Sequence, residues 1–146
     1  MRMPDVNVLI YAHRTDGHPE HDAYARWLTQ LATGPEPFAL SPVVLSGFIR
    51  IVTNPRVFPE PSSHDQAFGF VDALLARPTA RVLTPGPRHW AIFEDVCRRS
   101  GARGKLAADA YHAAIAVEHG CVLVTTDGDF ARFEGLRWEH PLGRAG

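Results

Sequence analysis

The chain has 146 residues, 45% of them apolar, with a formal net charge of −1 and a pI near 6.7. That length and apolar share suit one compact domain over residues 1–146, and the near-neutral balance excludes the global basic field of a general nucleic-acid binder. Two isolated cysteines, Cys97 and Cys121, exclude a disulfide framework, no apolar run approaches the roughly 20 residues of a membrane span, and the start M-R-M-P-D lacks a signal-peptide core.

A cytoplasmic protein is therefore expected, with secretion by a non-classical route compatible with the same features. Along the chain, the β-branched, apolar run Val6 to Tyr11 reads on composition as a buried strand. Glu20 to Leu31 carries Ala23, Trp27 and Leu31 at helical spacing and stops before the breaker cluster T-G-P-E-P. F-A-L-S is a short strand, and Ser41-Pro42 caps a helix over Val43–Thr53, which ends at Asn54-Pro55 because a residue before proline avoids the helical region.

The serines of P-S-S cap a helix from His64 to Ala76, V-L-T-P-G-P is strand then turn, and a helix runs from His89 to Arg99 and stops near Gly101. Lys105 to Glu118 is a long Ala-rich helix closed by Gly120, C-V-L-V-T is a buried strand, and G-L-R-W is a final edge strand. Short apolar strands alternating with helices indicate an α/β domain with a mostly parallel sheet, in which ligands bind beyond the carboxyl ends of the strands.

The chemistry is carried by carboxylates from three distant places. Asp5 opens D-V-N-V-L-I-Y-A, Asp109 lies in L-A-A-D-A-Y-H-A-A-I-A, and Asp127 and Asp129 follow the last strongly apolar run in V-L-V-T-T-D-G-D-F. Each adjoins a run that becomes core, where an unpaired charge is expensive. Leu106, Ala110, Ala113 and Ala114 mark an apolar face that puts Asp109 at its edge. Converging carboxylates repel one another unless a cation neutralises them, and an oxygen-only donor set suits Mg²⁺ or Mn²⁺. Singly, each motif is weak: D-x-N and D-G-D also make ordinary turns. The three in this order are far more specific.

Other candidates carry less. His18 and His21 lack two further zinc ligands and read as solvent-facing, and His112 and His119 read as surface or capping residues on the Asp109 helix. Ser41 and Ser46 lack a nucleophile elbow, and no phosphate-binding G-x-x-x-x-G-K-[ST] loop is present. Trp27, Phe48, Phe68, Phe70 and Trp90 follow helical patterns and read as core or dimer interface.

With these segments in view, the chain resembles the PIN-domain family, and within it the VapC toxins of bacterial toxin–antitoxin pairs. The resemblance runs through D-V-N-V-L-I-Y-A, S-P-V-V-L-S-G-F-I-R-I-V-T-N-P-R-V-F, D-A-Y-H-A-A-I-A-V-E-H-G and T-T-D-G-D-F-A-R-F-E-G-L-R-W, and covers essentially the whole chain. It implies a three-layer α/β/α domain whose first strand ends at Asp5, so that Asn7 to Ala12 is helical rather than strand. It implies a Mg²⁺-dependent endoribonuclease (Mn²⁺ as the substitute ion), a homodimer, and a VapB-type antitoxin that holds it inactive. By that resemblance Asp5, Asp109 and Asp127 are catalytic and bind the metal, with Asp129 as a further ligand or orienting group. Metal-activated water would then hydrolyse a phosphodiester in structured RNA such as tRNA or rRNA loops, where unpaired bases can splay out. Asn7, Arg50 and Arg56 would meet Asp5 or the substrate phosphates, and Arg98, Arg99, Arg103 and Lys105 flank the same elements. The family's usual Glu on the second helix is here Gly47, a residue that costs roughly 1 kcal/mol in a helix interior. Two rivals stand beside this reading: a PIN-like binding module that has lost catalysis, and a haloacid-dehalogenase-type phosphatase, which expects D-x-D where this chain has D-x-N.

Overall fold

The computed structural model describes residues 1–144. Strand β1 (Arg2–Pro4) is followed at once by helix α1 (Val6–His13), so the strand expected over Val6 to Tyr11 is helical, as the family resemblance implied, and the first strand ends one residue before Asp5. The reason is local. Asp5 adopts an extended N-cap conformation and its carboxylate accepts from the Val6 N–H. Val8, Leu9, Ile10 and Ala12 are all buried, and a helix buried on nearly every side has the same continuous apolar composition as a buried strand.

Helix α2 (His21–Thr33) buries Tyr24, Leu28 and Ala32 at strict i, i+4 spacing. The expected stripe of Ala23, Trp27 and Leu31 is half-buried beside it, one position off the helix's true inner face. Strand β2 (Phe38–Leu40) leads to α3 (Pro42–Val52), where the Val43 N–H donates to Ser41 Oγ at 3.2 Å and Pro42 occupies the first helical turn. Helix α4 (His64–Leu75) starts in a reciprocal capping box between Ser63 and Gln66.

Strand β3 (Ala80–Val82) lies two residues upstream of the expected V-L-T, because its pairing register with Phe38–Leu40 places Val82 beside Leu40. Helices α5 (His89–Ser100) and α6 (Lys105–His119) end at Gly101 and Gly120, both left-handed with φ of 68° and 67°. Strand β4 (Val122–Val124), a 3-10 turn (Gly128–Arg132) and edge strand β5 (Arg137–Glu139) complete the described chain.

The five strands form one wholly parallel sheet in the order β3-β2-β1-β4-β5. Alternation along β2 divides the core. Phe38 and Leu40 face a cluster built with α1 to α4, whereas Ala39, Met3 and Leu123 face a second cluster built with α5 and α6. The first cluster is filled by large side chains, including buried Phe48 stacked on Phe70 with ring centroids 5.0 Å apart. In the second, Ala110, Ala113 and Ala116 let α6 approach the sheet closely. Helices on both faces make a three-layer α/β/α domain. Phe48 is core, but Phe68 and Trp90 are 48% and 67% exposed and contribute nothing to it.

Candidate active site

Crossovers leave β1 in opposite directions, toward β2 on one side and β4 on the other, so β1 is the switch point of the sheet and its carboxyl end opens the crevice where such folds bind ligands. Asp5 is the residue at that end. Its backbone N–H extends the ladder to Val124 O at 2.8 Å. The carboxylate accepts from the Val6 N–H through Oδ1 at 2.7 Å and from the Thr125 hydroxyl through Oδ2 at 2.7 Å. Thr125 is fully buried and in turn accepts the Asp127 N–H at 3.1 Å. Asp127 Oδ1 accepts the Asp129 N–H at 2.9 Å, which starts the 3-10 turn. A chain of hydrogen bonds thus ties Asp5 to Asp127 across the β1–β4 boundary.

Asp109 reaches the crevice from the second turn of α6. Burial pushes its carboxyl above the ordinary range, Asp127 and Asp5 add to the rise, and Lys105 opposes it. The Lys105 ammonium lies 3.4 Å from Asp109 Oδ2 and 4.0 Å from Asp127 Oδ2. Asp129 is exposed and pairs with Arg132 at 3.5 Å, so it stands at the rim. Asn7 does not bond Asp5: its Nδ2 donates to Thr126 Oγ1 at 3.0 Å, and its buried Oδ1 has no partner among the described residues.

Arg50 and Arg56 are exposed on α3 and the loop after it, and no described contact joins them to the carboxylates. A Cβ built on Gly47 would lie 3.6 Å from Val6 Cγ2, and Val6 is the residue after Asp5. His112 corrects the surface or capping role expected of it. It is buried behind Asp5, with Nε2 3.7 Å from Asp5 Oδ1 and both ring nitrogens without a hydrogen-bond partner among the described residues. Burial holds its imidazole below the usual histidine range, against the pull of Asp5 and Asp109. One helical turn separates His112 from Asp109, and that i, i+3 spacing is the sequence signal that marks it. His18 and His21 are also partly buried rather than solvent-facing, His18 against Tyr11 and Tyr24 and His21 on Tyr11 O at 2.7 Å.

The donor set fits a hard divalent cation. Asp5, Asp109 and Asp127 offer carboxylate oxygens, their mutual repulsion is evident at Asp109, and Asn7 Oδ1 is a buried acceptor still lacking a donor. As they stand, no three His, Cys, Asp or Glu side chains among the described residues converge tightly enough to chelate an ion.

The sequence model of the PIN domain matches residues 2–136. The chain is similar to the ribonuclease VapC43 of Mycobacterium tuberculosis, 51% identical over 138 residues that span 94% of this chain and 93% of that one. It is 43% identical to ribonuclease VapC25 of the same organism over 141 residues, 97% and 99% of the two chains. Among solved structures, the fold superposes on VapBC2 from Rickettsia felis, described as bound to a DNA fragment from their promoter, with a TM-score of 0.68, 21% identity, and coverage of 95% and 97%. It also superposes on Mycobacterium tuberculosis VapC20, described as a sarcin-ricin loop cleaving toxin, with a TM-score of 0.64, 19% identity, and coverage of 94% and 99%.

Proposed function

The chain belongs to the PIN-domain family, as a toxin of the VapC type, and from that premise we propose that it is a divalent-metal-dependent endoribonuclease whose centre is Asp5, Asp109 and Asp127. The single observation that carries this reading is the pull of three acidic groups, from β1, α6 and the β4 end, into one crevice at the sheet's switch point. Mg²⁺ or Mn²⁺ bound there would supply positive charge to a scissile phosphate and lower the pKa of a water.

The chain's own residues set the stage. Thr125 and the Val6 amide fix the Asp5 carboxylate, so it needs no reorganisation on binding. Asp127 is aimed by the Asp129 amide, and Asp129 stands outside the inner set as a rim group. Asn7, whose buried Oδ1 lacks a partner among the described residues, borders the crevice, while Arg50 and Arg56 offer exposed cations for RNA phosphates farther out. Single-stranded segments of structured RNA, such as tRNA or rRNA loops, suit such a site because their bases and backbone can be splayed out.

A VapB-type antitoxin and a second copy of the chain are the proposed partners. Val43, Val57 and Phe68, all 43% exposed or more, leave apolar surface on and beside α3 and α4 that association would cover. No helix is long and apolar enough to cross a membrane among the described residues.

A labelled RNA pool incubated with the purified protein tests the activity. Cleavage with Mg²⁺ that stops with chelator is the expected result. Binding without cleavage would favour the PIN-like module, and turnover of small phosphomonoesters would favour the phosphatase. Light scattering at micromolar concentration should give twice the chain mass of 16.1 kDa.

A further inference from the structure

Fifteen basic residues of the Lys/Arg class occur in the chain, and Lys105 is the single lysine among them. It occupies a position that helix electrostatics disfavour. Lys105 is the first residue of α6, where the positive end of the helix dipole repels a cation, and the helix has no acidic residue in its first turn and no side-chain cap. Its partner Asp109 stands four residues later, the weaker orientation for a helical ion pair. A residue that breaks local rules in this way is more often kept for a site than for the helix.

The side chain reaches from α6 toward the β4 end, 3.4 Å from Asp109 and 4.0 Å from Asp127, yet it is 78% exposed. It therefore bridges the two carboxylates that belong to different elements while remaining free to swing away. Arg98 and Arg99 are engaged elsewhere, with Glu94, and with Asp95 and Glu134. A lysine suits the task better than an arginine would. Its ammonium is a compact, mobile point charge, whereas a guanidinium locks onto carboxylates through two parallel bonds.

We propose that Lys105 is the built-in counter-cation of the acid site, which a divalent ion must displace before Asp109 and Asp127 can bind it. The inference rests on the metal reading given above and adds a regulatory element to it. Ion entry and Lys105 release become one event, and the released ammonium is left at the rim where an RNA phosphate would lie. Because the lysine end of the pair is 78% exposed, the competition is mild, and a coupling of about two- to fivefold in ion affinity is expected.

Being the lone lysine, Lys105 can be watched directly. Reductive dimethylation with ¹³C-formaldehyde keeps the charge and labels only this ammonium and the amino terminus. In the wild-type protein, saturating Mg²⁺ should move the Lys105 resonance toward the position and narrow width it has in ion-free Asp109→Asn. Calorimetric titration with Mn²⁺ should show Lys105→Met binding about two- to fivefold tighter than wild type and Lys105→Arg binding more weakly. The arginine variant separates displacement from a general charge effect, since both proteins keep the positive charge. A Lys105 resonance unmoved by saturating ion, or equal affinities for the arginine variant and wild type, would overturn the inference while leaving the metal reading intact. Failure of all three proteins to bind Mn²⁺ would overturn both.

Discussion

Asp5 and Asp109 bring the same charge to the same crevice under opposite constraints. Asp5 is buried and held by a backbone amide, by the fully buried Thr125 hydroxyl and by the N-cap geometry of α1, with His112 closing the space behind it. Asp109 has one flexible, largely exposed partner, Lys105, and burial pushes its carboxyl above the ordinary range. The crevice thus has a fixed half, around Asp5, and an adjustable half, around Asp109 and Lys105.

The largest expected effect treats the two carboxylates alike in activity and differently in stability. Asp5→Ala and Asp109→Ala should each reduce RNA cleavage at least about 100-fold, because charge stabilisation by a bound ion is worth several kcal/mol. Asp5→Ala also removes a helix cap, a loss of about 1 kcal/mol, and strands the Thr125 hydroxyl. Asp109→Asn removes a charge that burial disfavours, so its unfolding free energy should be unchanged or higher. Chemical denaturation of ion-free protein measures both; equal destabilisation of the two variants would break the contrast.

Thr125→Val probes the fixed half without touching a ligand. It leaves Asp5 Oδ2 and the Asp127 N–H without their shared partner, at about 1–3 kcal/mol. Cleavage at saturating Mg²⁺ should fall about two- to tenfold if half of that loss appears in the transition state. Wild-type rates in a destabilised variant would mean that Asp5 orientation does not matter to the chemistry.

Gly47→Glu sharpens the adjustable half. A Cβ there meets only Val6 Cγ2 at ordinary contact distance, so the backbone accepts a side chain and helix propensity improves. Mn²⁺ affinity should rise severalfold, as another hard oxygen joins the set. Equal or weaker binding in calorimetry would show that position 47 does not face the ion. The smallest effects belong to Arg50→Ala and Arg56→Ala, which lie outside both halves. Each should weaken RNA binding modestly and make its logarithmic salt slope shallower by about 0.7, the value for one lost phosphate contact on a single strand.

Much of this was legible in the sequence. Caps and breakers set most boundaries: Ser41-Pro42, the Ser63–Gln66 box, and Gly101 and Gly120 stand where their local chemistry placed them. The first helix was not legible from composition, because every residue from Val6 to Tyr11 except Asn7 is apolar, and periodicity fades when a segment is buried on nearly every side. Only the family resemblance gave its true state. Within the site, the carboxylates could be gathered because each adjoins an apolar run. Thr125 could not be ranked, since its role arises from a contact with Asp5 across 120 residues of chain, and His112 carried only its i, i+3 spacing from Asp109, which says nothing of its contact with Asp5. Lys105 was visible only as one of several flanking cations until its bridge between Asp109 and Asp127 appeared.

The claim that RNA is cut at this carboxylate centre is tested most directly by mapping RNA 5′ ends after brief induction of the wild-type and Asp109→Ala proteins in cells without the partner antitoxin. Wild-type protein should create new 5′ ends at a few positions in single-stranded loops, and the variant, at equal folded abundance, should create none. The same new ends from both proteins would contradict the claim.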